Sequence, residues 1–232
     1  MAYLTRQIAI RAALGLIGLA LIGLATYAYR EYARRLREAG ERVNVMAHTS
    51  LQWVEIDVCI LAAGAVTVAI YPSNLPSECQ YIVDDCDGVL VFAQDAEQVA
   101  KFIEIRSDVP NVKKIVQMGG DVSADAPDDW VLSWDDFLAL GKDQDDAVLD
   151  ERRKGLNPDS ILTLIYTSGT TGLPKGVVLT HGNMLYEGDA IRQVDVVRSS
   201  DVQLMFLPLA HVFAKVLEVA WFATGHILAF AE

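Results

Sequence analysis

Basic side chains are scarce in this chain: 19 lysines and arginines stand against 31 aspartates and glutamates, a formal charge of −12. A surface of that sign repels phosphate backbones, so nucleic acid is excluded as the expected partner. Trp53, Trp130, Trp134 and Trp221 are not interleaved with basic residues, which removes a base-stacking surface as well. Cysteine is rarer still. Cys59, Cys79 and Cys86 form neither a disulfide framework nor a Cys-x-x-Cys metal pair, and read as reduced thiols in or near the core of a cytosolic protein. Charged residues make up only 22% of the chain while hydrophobic ones reach 52%, which excludes chain-wide disorder and leaves material for a sizeable core. No internal repeat is visible, and 232 residues suffice for one domain or one and a half.

What is present alternates. From residue 42 onward, strand-like runs at 43–47, 66–71, 88–92 and 114–118 exchange with helix-like segments at 51–65, 77–85 and 96–105. This rhythm predicts an α/β fold: an open, mostly parallel sheet with flanking helices. Between Asp121 and Glu151, eleven carboxylates accompany one lysine. That run reads as a solvated surface loop with one short helix at 134–140, its ligand spacing too loose for a metal site. Residues 144–158, polar and charged, read as the best internal linker. After it come strands at 161–166 and 176–180, a helix at 183–197, a strand at 202–207, a helix from about Leu209, and an apolar run at 226–230 that reads as a strand needing neighbours.

Between the strands at 161–166 and 176–180 lies the densest chemistry in the chain. Thr167, Ser168, Thr170 and Thr171 alternate with Gly169 and Gly172, and Lys175 follows, all within nine positions. Glycines let backbone N–H groups approach an anion, hydroxyls add hydrogen bonds, and the lysine adds charge. Such a loop suits a polyphosphate. A solvated Ser/Thr/Gly turn is the plainer alternative. It is not a Walker A loop, because Gly176 rather than Ser or Thr follows the lysine, and its flanks predict a strand–loop–strand instead of a helix start. His211, in a proline-containing turn after Leu207-Pro208-Leu209-Ala210, reads by itself as a surface or capping residue. His181 reads as structural, and His48 and His226 as ordinary.

The stretch from Tyr166 to Gly176, continued through Val177-Val178-Leu179-Thr180-His181-Gly182-Asn183, resembles the phosphate-loop signature of the adenylate-forming (AMP-binding) enzymes. That family includes acyl-CoA synthetases, firefly-type luciferases and peptide-synthetase adenylation domains. Leu207-Pro208-Leu209-Ala210-His211-Val212-Phe213 is similar to a segment of long-chain fatty acid–CoA ligases, and Leu61 to Val66 with Tyr71-Pro72 to an early helix-to-strand stretch. The resemblance covers roughly residues 42–232 and favours the long-chain subgroup.

It implies ATP-dependent activation of a fatty acid through an acyl-adenylate to acyl-CoA, with ATP, Mg2+ and coenzyme A as cofactor and co-substrates. By the resemblance, Thr167, Ser168, Gly169, Thr170, Thr171, Gly172 and Lys175 bind the phosphates and Thr167 helps to ligate magnesium. Lys175 and His211 are the catalytic candidates, His211 beside the acyl carboxylate. Complete members carry a downstream magnesium glutamate, a ribose-binding aspartate and a C-terminal lysine that have no counterpart here. The expectation is therefore a partial adenylation domain at 42–232 without the C-terminal domain, unable to complete catalysis alone, with a separate chain as the conceivable source of the rest. The alternative is a catalytically inactive nucleotide- or acyl-binding module tethered to the membrane.

The tether is the expectation for residues 1–41. Residues 12–29 contain no charged side chain, and as a helix they would be about 27 Å long, close to the hydrocarbon thickness of a bilayer. Arg6 and Arg11 precede this run; Arg30, Arg34, Arg35 and Arg37 follow it, which favours a cytoplasmic C-terminal side. A single-pass anchor with the adenylation region facing the cytoplasm is expected. A cleaved signal peptide and a buried helix of a soluble protein are the competing readings.

Overall fold

Alternate residues of the apolar runs are buried on opposite faces of one sheet. Val43, Val45, Leu90, Phe92 and Val116 join one core cluster, while Met46, Val91, Ala93 and Ile115 join the other. A strand apolar on both sides must be covered on both sides, which is the arrangement of a parallel sheet between helical layers. The computed structural model describes residues 40–141, 147–167 and 173–231. Its main sheet contains β1 (Arg42–Met46), β2 (Val66–Ile70), β3 (Gly88–Ala93), β4 (Lys114–Gln117), β5 (Val131–Ser133), β6 (Ile161–Thr167) and β7 (Lys175–Thr180), in the order β5-β4-β3-β1-β2-β6-β7. Every neighbouring pair is parallel except β6 and β7, which run antiparallel.

Helix α1 (Leu51–Ala62) starts where Ser50 accepts a hydrogen bond from the Trp53 amide, and buries Trp53, Ile56 and Ile60 on the first face. Helices α2 (Pro76–Asp85) and α3 (Ala96–Glu104) cover the second face with Cys79, Ile82, Val83, Val99 and Phe102. Helix α4 (Trp134–Ala139) returns to the first face, where Phe137 meets Phe92 edge-on at 5.2 Å between ring centroids. All three cysteines are buried and none is in a disulfide; burial pushes the Cys79 thiol up to about 12 and the Cys86 thiol up to about 11.

The α/β sheet expected from the sequence is present, with two corrections in the acidic region. Val131–Ser133 forms a short edge strand beside β4, anchored by Trp130, whose indole N–H donates to the Val112 carbonyl at 2.9 Å. The presumed linker contains helix α5 (Ala147–Lys154), with acid in its first turn and three basic residues in its last, an order the helix dipole favours. Its Leu149 is buried, and the Arg153 guanidinium donates to the Ala62 carbonyl at 3.1 Å, so the segment packs on the end of α1.

Two further helices follow β7. Helix α6 (His181–Val194) begins two residues earlier than expected, because Thr180 and Asn183 form a reciprocal cap. Helix α7 (Val212–Thr224) connects β8 (Val202–Met205) to β9 (Ile227–Phe230), a separate parallel pair, and ends at Gly225, whose φ of 68° suits glycine. The anchor expected at residues 12–29 lies outside the described residues. Among those described, no helix is long and apolar enough to cross a membrane.

Candidate active site

The carboxyl ends of β1, β2, β3, β4 and β6 share one edge of the sheet, since those strands are parallel. In open α/β sheets that edge is where ligands collect. The Ser/Thr/Gly loop leaves from it. Ile161–Thr167 and Lys175–Thr180 pair antiparallel, with Tyr166 opposite Gly176 and Thr167 opposite Lys175. The expected strand–loop–strand is therefore correct, and Thr167 and Lys175 meet at its root, both exposed. Ser168, Gly169, Thr170, Thr171 and Gly172 lie outside the described residues.

The root is held from α2. The Tyr81 hydroxyl donates to the Pro174 carbonyl at 2.9 Å, and the Tyr166 hydroxyl donates to Asp85 Oδ2 at 2.6 Å. Burial, and then the bond to Asp85, raise the Tyr166 phenol far above its ordinary range, so it stays a donor. Its ring lies against Gly176: a Cβ there would sit 3.1 Å from the ring's Cζ, closer than ordinary van der Waals contact. The glycine after the lysine thus has a packing reason.

The second motif reaches the same edge. Thr49, just past β1, donates to the Leu207 carbonyl at 2.7 Å and accepts from the Leu209 amide at 3.1 Å. This pins the Leu207–Leu209 turn, and His211 follows as the N-cap of α7, its Nδ1 accepting from the Phe213 amide at 3.1 Å. The imidazole is exposed, with Nε2 left for another partner. The capping role expected for His211 is thus observed, and its ring stays open to solvent. Thr167 offers one neutral hydroxyl oxygen, which suits magnesium only as one ligand among phosphate oxygens and waters.

Sequence reasoning missed a buried ion cluster. One turn beyond His211, Lys215 Nζ bonds Asp57 Oδ2 of α1 and lies 3.0 Å from Glu218 Oε2, all three residues being buried. Burial disfavours the Lys215 charge, but Asp57 and Glu218 outweigh it and the net shift is upward. Burial, against the pull of Lys215, lifts the Glu218 carboxyl to about 8. These three side chains are among those lining a cavity of about 290 Å³ between α1, β6, α6 and α7, whose other walls include Met184, Val219 and Phe222. His181 also faces this cavity, and burial lowers its pKa. The signal available in the sequence was a Lys and a Glu three apart in an otherwise apolar helix.

Comparison with known proteins bears on the family and the fold. The family described as AMP-binding enzyme matches residues 27–232. A long-chain-fatty-acid–CoA ligase of Gallus gallus, ACSBG2, is 32% identical over 197 residues, covering 83% of this chain and 26% of its own. The Mycobacterium tuberculosis long-chain-fatty-acid–CoA ligase FadD15 is 34% identical over 187 residues, covering 80% of this chain and 30% of its own. The chain thus spans about a quarter to three-tenths of the length of these relatives. Among solved structures, an anthranilate CoA ligase, AuaEII, in complex with anthranoyl-AMP superposes with a TM-score of 0.71 at 22% identity, over 91% of this chain and 39% of its own. The N-terminal domain of FACL13 from Mycobacterium tuberculosis, inhibitor-bound, gives 0.69 at 24%, over 91% and 49%. At such identities the structural likeness speaks for the fold alone.

Proposed function

The chain belongs to the AMP-binding enzyme family, and from that premise we propose that it activates a long-chain fatty acid with ATP, through an acyl-adenylate to acyl-CoA. The observation that carries this reading is the hairpin root, where Thr167 and Lys175 face each other at the carboxyl edge of the sheet. Lys175 opposes the charge of the β- and γ-phosphates, and loop N–H and hydroxyl groups from Ser168 to Gly172 add hydrogen bonds. His211 stabilises charge as the acyl carboxylate attacks the α-phosphorus and pyrophosphate leaves. Bound magnesium would offset phosphate charge, with Thr167 as one ligand. The cavity beside α7, apolar at Met184, Val219 and Phe222 and charged at Asp57, Lys215 and Glu218, is a candidate compartment for part of the acyl chain. Thioester formation with coenzyme A is proposed of the whole ligase, of which these residues correspond to a fraction.

Lys175→Ala tests the reading. It should weaken MgATP binding by the full chain about tenfold or more, with little change in fatty-acid binding, because its charge acts on phosphates and not on a hydrocarbon. Equal MgATP affinities for the two proteins would refute the assignment.

We also propose that residues 12–29 tether the protein to a membrane, with the adenylation region on the cytoplasmic side. What supports this is the uncharged run of 18 residues and the arginines that follow it. Carbonate extraction should leave the full chain in the pellet; release into the supernatant would count against a spanning segment.

A further inference from the structure

We propose that Tyr81 is a positioning residue for the phosphate loop, the upper half of a two-point clamp by which α2 fixes the backbone on either side of Lys175. The proposal rests on the phosphate-binding reading of the hairpin and goes beyond it by assigning a role to a helix outside the hairpin.

Tyr81 and Asp85 are four residues apart on α2, so they stand one above the other on the same helical face. Each makes one long-range bond to the hairpin. The Tyr81 hydroxyl donates to the carbonyl of Pro174, the residue before Lys175. Asp85 accepts from the Tyr166 hydroxyl, and the Tyr166 ring lies on Gly176, the residue after Lys175. Pro174 has its own φ restricted by its ring. The lysine is therefore fixed at both neighbouring positions while its side chain stays exposed. A long, flexible lysine side chain loses much rotamer entropy when it grips an anion. Fixing its backbone in advance leaves only that side-chain loss, which is how a distant tyrosine can tighten phosphate binding without contacting it.

The two bonds divide the labour. Asp85 is exposed and anchors Tyr166, which the sheet already buries, so that bond steadies the strand. Pro174 stands just outside β7, and its carbonyl is held by Tyr81. Tyr81 is consequently the group whose loss frees Leu173 and Pro174 while leaving the strand intact.

The test compares the full chain with its Tyr81→Phe form, which keeps the ring and removes one hydroxyl. Proteolytic cleavage before Leu173, the exposed residue beside Pro174 and outside β7, should without nucleotide be several-fold faster in Y81F, while the thermal midpoint moves little. MgATP affinity should fall about 2- to 10-fold, the range one neutral hydrogen bond is worth, and long-chain fatty-acid affinity should stay the same. That split between ligands is not produced by general destabilisation. Unchanged cleavage before Leu173 overturns the clamp. Parallel losses in both ligand affinities overturn it as well, since they would mark a purely structural role. If the parent chain itself binds no MgATP, the functional reading fails, and the cleavage rates alone decide the clamp.

Discussion

Strands β1 to β3 and strands β7 to β9 are similarly rich in apolar residues, yet they end in different surroundings. Val66–Ile70 is buried at every position and Gly88–Ala93 at all but one, whereas in Val202–Met205 only Met205 is buried and in Ile227–Phe230 none is. Along β8 and into the residue after it, the alternation Val202, Leu204, Phe206 leaves three exposed apolar side chains. Among the described residues, thirteen of the seventeen large exposed hydrophobics lie from Leu173 onward. The difference teaches that burial belongs to a strand's neighbours and not to its composition. The first region is covered on both faces, by α2 and α3 on one and by α1, α4 and the start of α7 on the other. The second offers apolar surface of the kind that marks contact with something else.

That contrast has an energetic counterpart, and a matched pair of substitutions would break it. Phe102 is fully buried between α3 and the sheet, while Phe206 is about two-thirds exposed. Phe102→Ala removes close packing and leaves a cavity, an expected loss of about 3–5 kcal/mol. Phe206→Ala should stay within about 0.5 kcal/mol, as exposed substitutions usually do. Urea denaturation of the full chain reads both. Similar losses at the two positions would mean that the regions do not differ as the exposures indicate.

The first region was also the more legible in the sequence. Its strands are β-branched runs bounded by turn signals, and the expected bounds of 66–71, 88–92 and 114–118 fall within one residue of β2, β3 and β4. The hairpin was legible for a different reason. Its hydroxyls, glycines and lysine are local in sequence, so one reading frame displays the candidate site. What escaped is non-local or brief. Three residues, Val131–Ser133, are too few for periodicity to register, and α5 was masked by a polar composition that its charge order in fact turns to advantage. Tyr81 reaches a partner 93 residues away, and Lys215 meets Asp57 across 158. No spacing rule reveals such pairs. Thr49, which pins the turn before His211, escaped for the same reason.

The ion cluster is where the two regions meet, Asp57 from α1 on one side and Lys215 with Glu218 from α7 on the other. It sharpens the comparison through pH. Folded Glu218 keeps its proton up to about 8, while the unfolded chain releases it near 4.5. Between those values the folded state binds more protons than the unfolded one, so this carboxyl makes stability fall as pH rises. Below 4.5 both forms are protonated and above 8 both are ionised, so the slope is confined to that window. His181, facing the same cavity, works in the other direction: burial lowers its pKa, so its contribution is lost as pH falls below 6.5. Glu218→Gln removes one of these opposed terms and leaves the other. Between pH 6 and pH 7 the parent chain should lose up to about 1.4 kcal/mol more than E218Q, the limit for one proton per pH unit. Chemical denaturation at half-unit intervals from pH 5 to pH 8.5 measures the difference. Identical slopes for the two proteins would show that the carboxyl is already ionised in the folded chain, and that Lys215 binds both its carboxylates as anions.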